Sequence, residues 1–285
     1  MSSRAATALG VGAILLWSSL ATITTLRGAI PPFQTTAIVF SIATIVGALF
    51  ALARGRLHCL RPSAASLALG VYGLFGYHAL YFAALRLAPP AEAHLISSLW
   101  AFLTVLFSGL LPGVGLRGRH VLAAVLGLTA AAVLVWAQPD FMQSVTPRWL
   151  GFTLAFGCAL VWSTYSVASR LLAAVPSESI AVSCFATAVL ALGCSLALEQ
   201  WTWPADALSW AALAGLGLGP VGAAFFLWDV GMKKGDVPLL GVLSYASPII
   251  STALLVALGY AQAAWSLAIA CALMAAAAVI ATRAA

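Results

Sequence analysis

Aromatic and polar side chains recur at helical spacing inside long apolar stretches of this chain. At about 100° per residue, Tyr77, His78 and Tyr81 fall on one face of a helix. The other stripes comprise Ser97, Trp100 and Thr104; Trp162, Tyr165, Ser166 and Ser169; Ser244, Ser247, Pro248 and Ser251; and, more weakly, Trp17 with Thr24. Aromatic faces stack against other rings and attract ammonium groups, while hydroxyl and imidazole groups exchange hydrogen bonds. These side chains predict a cavity for an amphipathic, partly aromatic solute.

Several of these residues also have a purely structural interpretation. Small hydroxyl residues let helices approach closely, and this explains Ser247 and Ser251 as well as a cavity does. Tryptophans at the ends of membrane helices are often interfacial anchors, but Trp100 and Trp162 lie well inside their apolar stretches. His78 is either a neutral residue hydrogen-bonded to a neighbouring tyrosine or a proton carrier.

The apolar stretches themselves indicate a membrane protein. Of 285 residues, 63% are hydrophobic and 7% charged, whereas soluble domains carry roughly 25% charged residues. A helix that crosses the hydrocarbon layer needs about 20 mainly apolar residues. Ten such stretches are predicted, at 6–26, 33–53, 63–86, 91–111, 119–137, 148–172, 178–198, 206–228, 236–258 and 263–282.

Basic residues give the orientation of these stretches. With the N-terminus in the cytoplasm, ten of the 13 Lys and Arg residues lie inside, and Arg27, Arg86 and Arg148 lie outside. Cytoplasmic loops of membrane proteins are enriched in Lys and Arg, so both termini are predicted to be cytoplasmic. The net charge of +6 is then a topology signal, and it indicates no nucleic-acid partner.

The same pattern occurs twice along the chain. Trp17-Ser18 recurs as Trp162-Ser163, 145 positions later, and Ser97 recurs as Ser244 at an offset of 147. Five helices in each copy would invert the second copy relative to the first, as in many secondary transporters. We predict an all-α polytopic membrane protein with two inverted five-helix repeats, at 1–141 and 142–285, joined by the polar segment 138–148.

Two of the predicted helices contain residues that disturb a regular helix. Gly219-Pro220 lies inside the eighth stretch, and proline removes a backbone donor and clashes with the preceding turn. At an offset of 147, Gly73 of the third stretch matches Pro220. Gly73, Gly219 and Pro220 are candidate hinge residues, although a simple packing kink explains them equally well.

Other kinds of chemistry have no support in the sequence. The five cysteines have neither metal-ligand nor close disulfide spacing, and no cluster of His or Asp residues indicates a metal. No Arg or Lys lies deep enough in a stretch to bind a phosphate. We therefore predict no enzyme, no cofactor and no metal.

The repeated segments resemble the drug/metabolite transporter superfamily, in particular its EamA-type tandem repeats and YddG-type aromatic amino acid exporters. The residues that carry the resemblance are Glu92 with Trp100, the run Trp228-Asp229-Val230-Gly231, and Ser244-Tyr245 with Pro248. Where the family often has Asn-Tyr-Leu-Trp-Pro, this chain has Ser97-Ser98-Leu99-Trp100-Ala101.

The aromatic and polar helix faces and the resemblance to this superfamily together predict an exporter of aromatic and other bulky neutral amino acids. It would work by alternating access in the bacterial inner membrane. The predicted substrate-binding residues are Trp17, Tyr77, His78, Tyr81, Ser97, Trp100, Trp162, Tyr165, Ser244 and Tyr245. The expected partners are the small-molecule substrate and membrane lipid, with the chain acting as a monomer. Export of other small organic metabolites or hydrophobic toxicants is the alternative.

Overall fold

The computed structural model describes residues 1–28, 30–88, 93, 96–136, 149–259 and 265–282. Within these ranges the chain is helical and contains no strand, which confirms the all-α class. The predicted polar linker at 138–148 and the boundary between the repeats at 141/142 lie outside the described residues. Glu92 also lies outside them.

Fourteen α-helices are described, seven on each side of residues 137–148. The first seven are α1 (Ser3–Ser18), α2 (Leu20–Leu26), α3 (Pro32–Ala53), α4 (Ala64–Val71), α5 (Tyr77–Leu87), α6 (Trp100–Ser108) and α7 (Gly118–Trp136). The others are α8 (Trp149–Ser169), α9 (Ile180–Leu198), α10 (Ala207–Leu218), α11 (Ala224–Lys234), α12 (Val237–Leu243), α13 (Ala246–Ala257) and α14 (Trp265–Thr282).

Every predicted stretch contains helix in the structure, but the stretches differ in described length. Six helical segments are long and apolar enough to cross a membrane: Ser3–Thr24, Pro32–Ala53, Ala64–Ala84, Trp149–Leu172, Ser177–Leu198 and Ala207–Lys234. Four shorter apolar helices, Ile96–Ser108, Gly118–Ala130, Val237–Ser251 and Ala268–Ala277, coincide with the remaining stretches. Several membrane-crossing helices are thereby confirmed, and the count of ten stays a prediction.

Some stretches that the sequence predicts as single helices are interrupted. Between α1 and α2, Ser18 Oγ donates to Ile14 O and Ser19 Oγ donates to Leu16 O, and such serine bonds to the preceding turn bend helices. Between α12 and α13, Ser244 Oγ donates to Leu240 O. Pro248, four residues further on, has no N–H to offer the Ser244 carbonyl, so a tighter turn forms there.

Helices α4 and α5, and likewise α10 and α11, are joined by π-helical turns. These turns span Tyr72–Gly76 and Gly219–Ala223, and their first residues, 72 and 219, are 147 positions apart. In the second turn Pro220 lacks a backbone N–H, and a Cβ on Gly222 would lie 2.1 Å from Gly217 O. The candidate hinge residues Gly73, Gly219 and Pro220 all lie in these turns, and their hinge role stays a prediction.

Helix contacts between the two halves come in matching pairs. Helix α1 packs against α11, and α8, the repeat counterpart of α1, packs against α5, the counterpart of α11. In the same way α1 contacts α13 and α8 contacts α6. Counterparts also pack directly on each other, α3 on α9 and α7 on α14. Such reciprocal contacts are those of two halves related by a pseudo-two-fold axis.

Electrostatic contacts hold α3 and α9 together at both ends. At one end, the Glu199 carboxylate accepts hydrogen bonds from the N–H groups of Phe33 and Gln34, each at 2.9 Å. A carboxylate at this position satisfies otherwise unpaired donors of the first helical turn. At the other end, Arg56 Nη1 lies 2.5 Å from Glu178 Oε1. The main core of the molecule lies between these helices and the π-helical turns and draws residues from both halves.

Candidate functional site

Three tryptophans from three helices meet at the centre of the main core. The ring centroid of Trp17 lies 6.2 Å from that of Trp100 and 5.5 Å from that of Trp162, and Trp100 lies 6.3 Å from Trp162. All three pairs meet edge to face, an arrangement that aromatic rings favour. The stripes of α1, α6 and α8 therefore converge on one place.

Tyrosines from α5 and α8 extend this cluster. Tyr77 stacks on Tyr81 at 5.8 Å with an interplanar angle of 13°, and its ring lies 5.4 Å from Trp162. Tyr165 lies 5.3 Å from Trp162 on the other side. Six predicted site residues, Trp17, Tyr77, Tyr81, Trp100, Trp162 and Tyr165, thus form one continuous set of rings, which we call the aromatic cluster.

Three further aromatic residues belong to the aromatic cluster although they were not among the predicted site residues. Trp228 lies 5.1 Å from Trp17, Phe225 lies 5.7 Å from Trp162, and Phe40 stacks on Phe225 at 5.6 Å. The indole Nε1 of Trp228 donates to Ser166 Oγ at 3.0 Å. The repeat contained a signal for two of them, since Trp228 and Phe225 are the counterparts, at an offset of 147, of Tyr81 and His78.

His78 lies beside the aromatic cluster, and its orientation is fixed by the backbone. Its Nδ1 lies 2.7 Å from Leu74 O, and because a carbonyl oxygen only accepts, Nδ1 carries the hydrogen. In the neutral ring Nε2 is then an acceptor. The ring also meets Phe40 edge to face at 5.1 Å and Tyr77 at 5.3 Å. These contacts fit the neutral, hydrogen-bonded interpretation of His78.

The polar site residues differ in what their side chains contact. Ser97 is buried and lies within hydrogen-bonding reach of the Tyr77 phenol, next to the aromatic cluster. Ser244 directs its hydroxyl proton to Leu240 O at 2.7 Å within its own helix. The hydroxyl of Ser244 therefore donates its proton to the backbone of the helix.

Tyr245 lies in a neighbouring cluster rather than in the central one. Its ring packs with Ala130, Ala270 and Met274, and this group touches Trp100. A Cβ added to Gly127 would lie 2.6 Å from the Tyr245 ring, so α7 approaches this tyrosine closely. Tyr245 supports the wall behind Trp100, and the structure does not bring it into the aromatic cluster.

Burial differs across the aromatic cluster. Phe40, Trp162, Tyr165, Phe225 and Trp228 are at most 5% exposed, whereas the other rings and the neighbouring His78 are only partly buried. The partly buried residues are Trp17, Tyr77, His78, Tyr81 and Trp100. Because these side chains touch rings from several helices and still keep exposed surface, open space remains beside them. We call the buried rings the sealed side of the aromatic cluster and the partly buried rings its open side.

A buried ion pair lies on the sealed side, near the end of α11. Lys233 Nζ is 2.7 Å from Asp229 Oδ2, and both side chains are about 5% exposed. Ser177 Oγ donates to the same carboxylate oxygen at 2.6 Å, and Lys233 Nζ donates to Val175 O at 2.9 Å. Nearby, Arg170 donates to Met232 O and Gly235 O, on either side of Lys233 in the sequence. The connection between α8 and α9 buries this pair, and helical periodicity alone does not predict such burial.

Comparison with known proteins identifies the family. The model of the EamA-like transporter family matches residues 4–136 and again residues 149–283. The aromatic amino acid exporter YddG of Ancylobacter novellus is 50% identical over 283 residues, which cover 99% of this chain and 98% of that protein. The YddG exporters of Salmonella typhimurium and Escherichia coli are 27% and 25% identical, each over 89% of this chain and 88% of theirs. A crystal structure with 49% sequence identity superposes with a TM-score of 0.94 and covers 99% of this chain and 98% of that one.

Proposed function

The chain belongs to the EamA-like transporter family, and we propose that it exports aromatic and other bulky neutral amino acids across the bacterial inner membrane. The observation that carries this proposal is the aromatic cluster, in which rings from both halves enclose a partly open space. The YddG exporters named above support the same substrate class.

The open side of the aromatic cluster suits a zwitterion with a large side chain. The substrate ring would stack on Tyr81 or Trp100, as aromatic rings do at offset or edge-to-face geometry. Its ammonium group would lie over an indole face and donate to His78 Nε2, which is an acceptor in the neutral ring. The phenol groups of Tyr77 and Tyr81 would donate hydrogen bonds to the substrate carboxylate. No chemical step is needed, and we propose none.

For the topology, we propose ten membrane-spanning helices in two oppositely oriented five-helix repeats, at 1–141 and 142–285, with both termini in the cytoplasm. The two separate family matches, the reciprocal helix contacts and the segregation of basic residues support it. We also propose that one chain is a complete transporter, since the aromatic cluster draws rings from both halves of a single chain.

With both termini in the cytoplasm, we can also propose which face of the membrane the open side of the aromatic cluster faces. The buried Asp229–Lys233 pair marks the cytoplasmic end of α11, and the residues around it close that side. The cavity beside Tyr81 then faces outward. We propose that this conformation is the one that releases substrate, and that rocking of the two halves opens the opposite side.

The test is transport by purified protein in liposomes. Labelled Phe or Trp should exchange across the membrane faster than in empty liposomes, and Tyr81→Ala should reduce this exchange by about tenfold, since stacking contacts contribute about 1 kcal/mol or more. Trp203→Ala is the matched control, because Trp203 is 66% exposed and lies far along the chain in a surface group with Trp201 and Trp210.

Three results would contradict the proposal. Exchange of Phe and Trp equal to that of empty liposomes would reject the substrate class. Strong competition by apolar solutes without an amino acid group, with no competition by Phe, would instead support the export of hydrophobic toxicants. Equal loss of exchange in Tyr81→Ala and Trp203→Ala would reject the aromatic cluster as the site.

A further inference from the structure

Each π-helical turn is in contact with an aromatic side chain from the first helix of the opposite half. In the second half, Pro220 O accepts a hydrogen bond of 2.8 Å from Trp17 Nε1. In the first half, Gly73 lies against Tyr165, and a Cβ on Gly73 would lie 2.3 Å from Tyr165 Cγ. Gly73 and Pro220 are equivalent positions of the repeat, so both turns are contacted at the same position, by a hydrogen bond from Trp17 in one half and by packing of Tyr165 in the other.

The altered helix at the second turn provides the acceptor for Trp17. In a regular α-helix the N–H of Ala224 would bond to the carbonyl four residues back, which is that of Pro220. Here the Ala224 N–H bonds instead to Gly219 O, five residues back. The Pro220 carbonyl is thereby left without its helical donor, and it accepts from the indole of Trp17.

Trp17 also lies on the open side of the aromatic cluster. It is partly buried and touches Trp100 and Trp162, so a solute in the cavity would meet the same ring that holds the turn. A residue that contacts both the solute and a backbone segment with two conformations lets binding of the solute change the conformation of that segment.

We propose that Trp17 is a coupling residue, whose indole N–H links occupation of the cavity to the π-helical turn at Pro220. The proposal rests on the proposed function and adds a role for one residue beyond lining the site. In the conformation described, the bond holds the junction of α10 and α11. Displacement of the indole by substrate releases Pro220 O and favours rearrangement of the junction.

Hydrogen exchange of the junction tests the link without any transport. In Trp17→Phe the ring remains and the donor is lost, so amides of a peptide spanning residues 216–226 should exchange about threefold to tenfold faster, the range of one hydrogen bond. Ser166→Ala is the control, because it removes the other indole bond of the aromatic cluster, that of Trp228, and should leave the junction of α10 and α11 unchanged.

A double-mutant cycle makes the test specific. Pro220→Ala restores an N–H and permits a regular helix in which Ala224 donates to the carbonyl of residue 220, so it should weaken the indole bond to that carbonyl. The effects of Trp17→Phe and Pro220→Ala on exchange should therefore not add, whereas independent residues give additive effects. Additive effects, or an unchanged junction in Trp17→Phe, would overturn the proposal.

Transport measurements then distinguish a coupling role of Trp17 from a role in substrate binding alone. Trp17→Phe should lower the maximal rate of Phe exchange by about threefold to tenfold and change the half-saturating concentration much less, because the ring contacts remain. A change in half-saturation alone would assign Trp17 to binding only. If the wild-type protein exchanged no Phe or Trp, the proposed function would fail, while hydrogen exchange at the junction would still decide whether the link exists.

Discussion

Trp17 and Trp162, which occupy the same position in the two repeats, meet edge to face with 5.5 Å between their ring centroids. A direct contact between equivalent residues places them next to the pseudo-two-fold axis that relates the halves. The rings around them break this symmetry, since Tyr77 packs against Trp162 whereas Trp228 packs against Trp17. Helices with matching contacts thus bring together an asymmetric set of rings, which suits the proposed binding of an asymmetric substrate.

Removal of the Trp162 side chain should affect stability as well as transport. Trp162 is 4% exposed, and truncation of a buried tryptophan to alanine costs about 3–5 kcal/mol. We expect Trp162→Ala to lower the melting temperature in detergent together with Phe exchange. Trp162→Phe retains most of the ring and should recover stability while exchange remains reduced, because the larger indole face is lost.

The two measurements must be made on the same preparations. Exchange is normalised to the fraction of folded protein, determined by size-exclusion chromatography after heating. If Trp162→Phe restored both stability and exchange to wild-type values, the indole of Trp162 would have no part in substrate binding.

Substitution of His78 should leave any dependence on a pH gradient unchanged. With Nδ1 directed to Leu74 O and aromatic rings around it, His78 is placed to act as a neutral acceptor rather than a proton carrier. We expect His78→Gln to slow Phe exchange while the ratio of rates with and without a pH gradient stays equal to that of the wild type. Loss of a gradient-driven component in this variant alone would identify His78 as the coupling group.

The structure brings the predicted aromatic residues together more closely than the predicted polar ones. Helical spacing was sufficient to place Trp100 and Tyr165 in one set of rings, because a large ring within an apolar stretch has few structural alternatives. Spacing does not show that the Ser244 hydroxyl donates to its own helix, since it cannot distinguish a cavity-facing serine from one that bonds to the preceding turn. Tyr245 was placed in the site by resemblance, and tertiary packing puts it behind the wall formed by Trp100.

Of the three rings of the aromatic cluster that were not predicted, Phe40 and Phe225 have no polar group. Phe40 and Phe225 lie in apolar helices where any phenylalanine is plausible, so only contacts between helices reveal that they stack. The burial of the Asp229–Lys233 pair was not predicted for a different reason. Its burial depends on the connection at residues 173–179, and the fold of a connection over a helix end is not encoded in helical periodicity.

The hydroxyl of Tyr245 gives a prediction on stability. It is buried and has no hydrogen-bond partner among the residues that the structure describes, and such a group costs about 1–3 kcal/mol. We expect Tyr245→Phe to raise the melting temperature and to leave Phe exchange within about twofold of wild type. A lower melting temperature would mean that the hydroxyl has a partner that stabilises the fold.

The buried ion pair of α11 gives an expected loss of stability as large as that of Trp162→Ala. Asp229→Asn leaves the Lys233 ammonium without its counter-charge in a buried site, and the loss of one partner of such a pair costs about 3–5 kcal/mol. The double variant Asp229→Asn, Lys233→Met removes both charges and should be markedly more stable than the single variant, because no unpaired charge remains. The control is Arg56→Ala, which breaks a pair with a 44% exposed arginine and should cost only about 0–1 kcal/mol. Thermal unfolding of the four proteins in one detergent checks this order, and a double variant no more stable than Asp229→Asn would show that the charges are not what holds this end of α11.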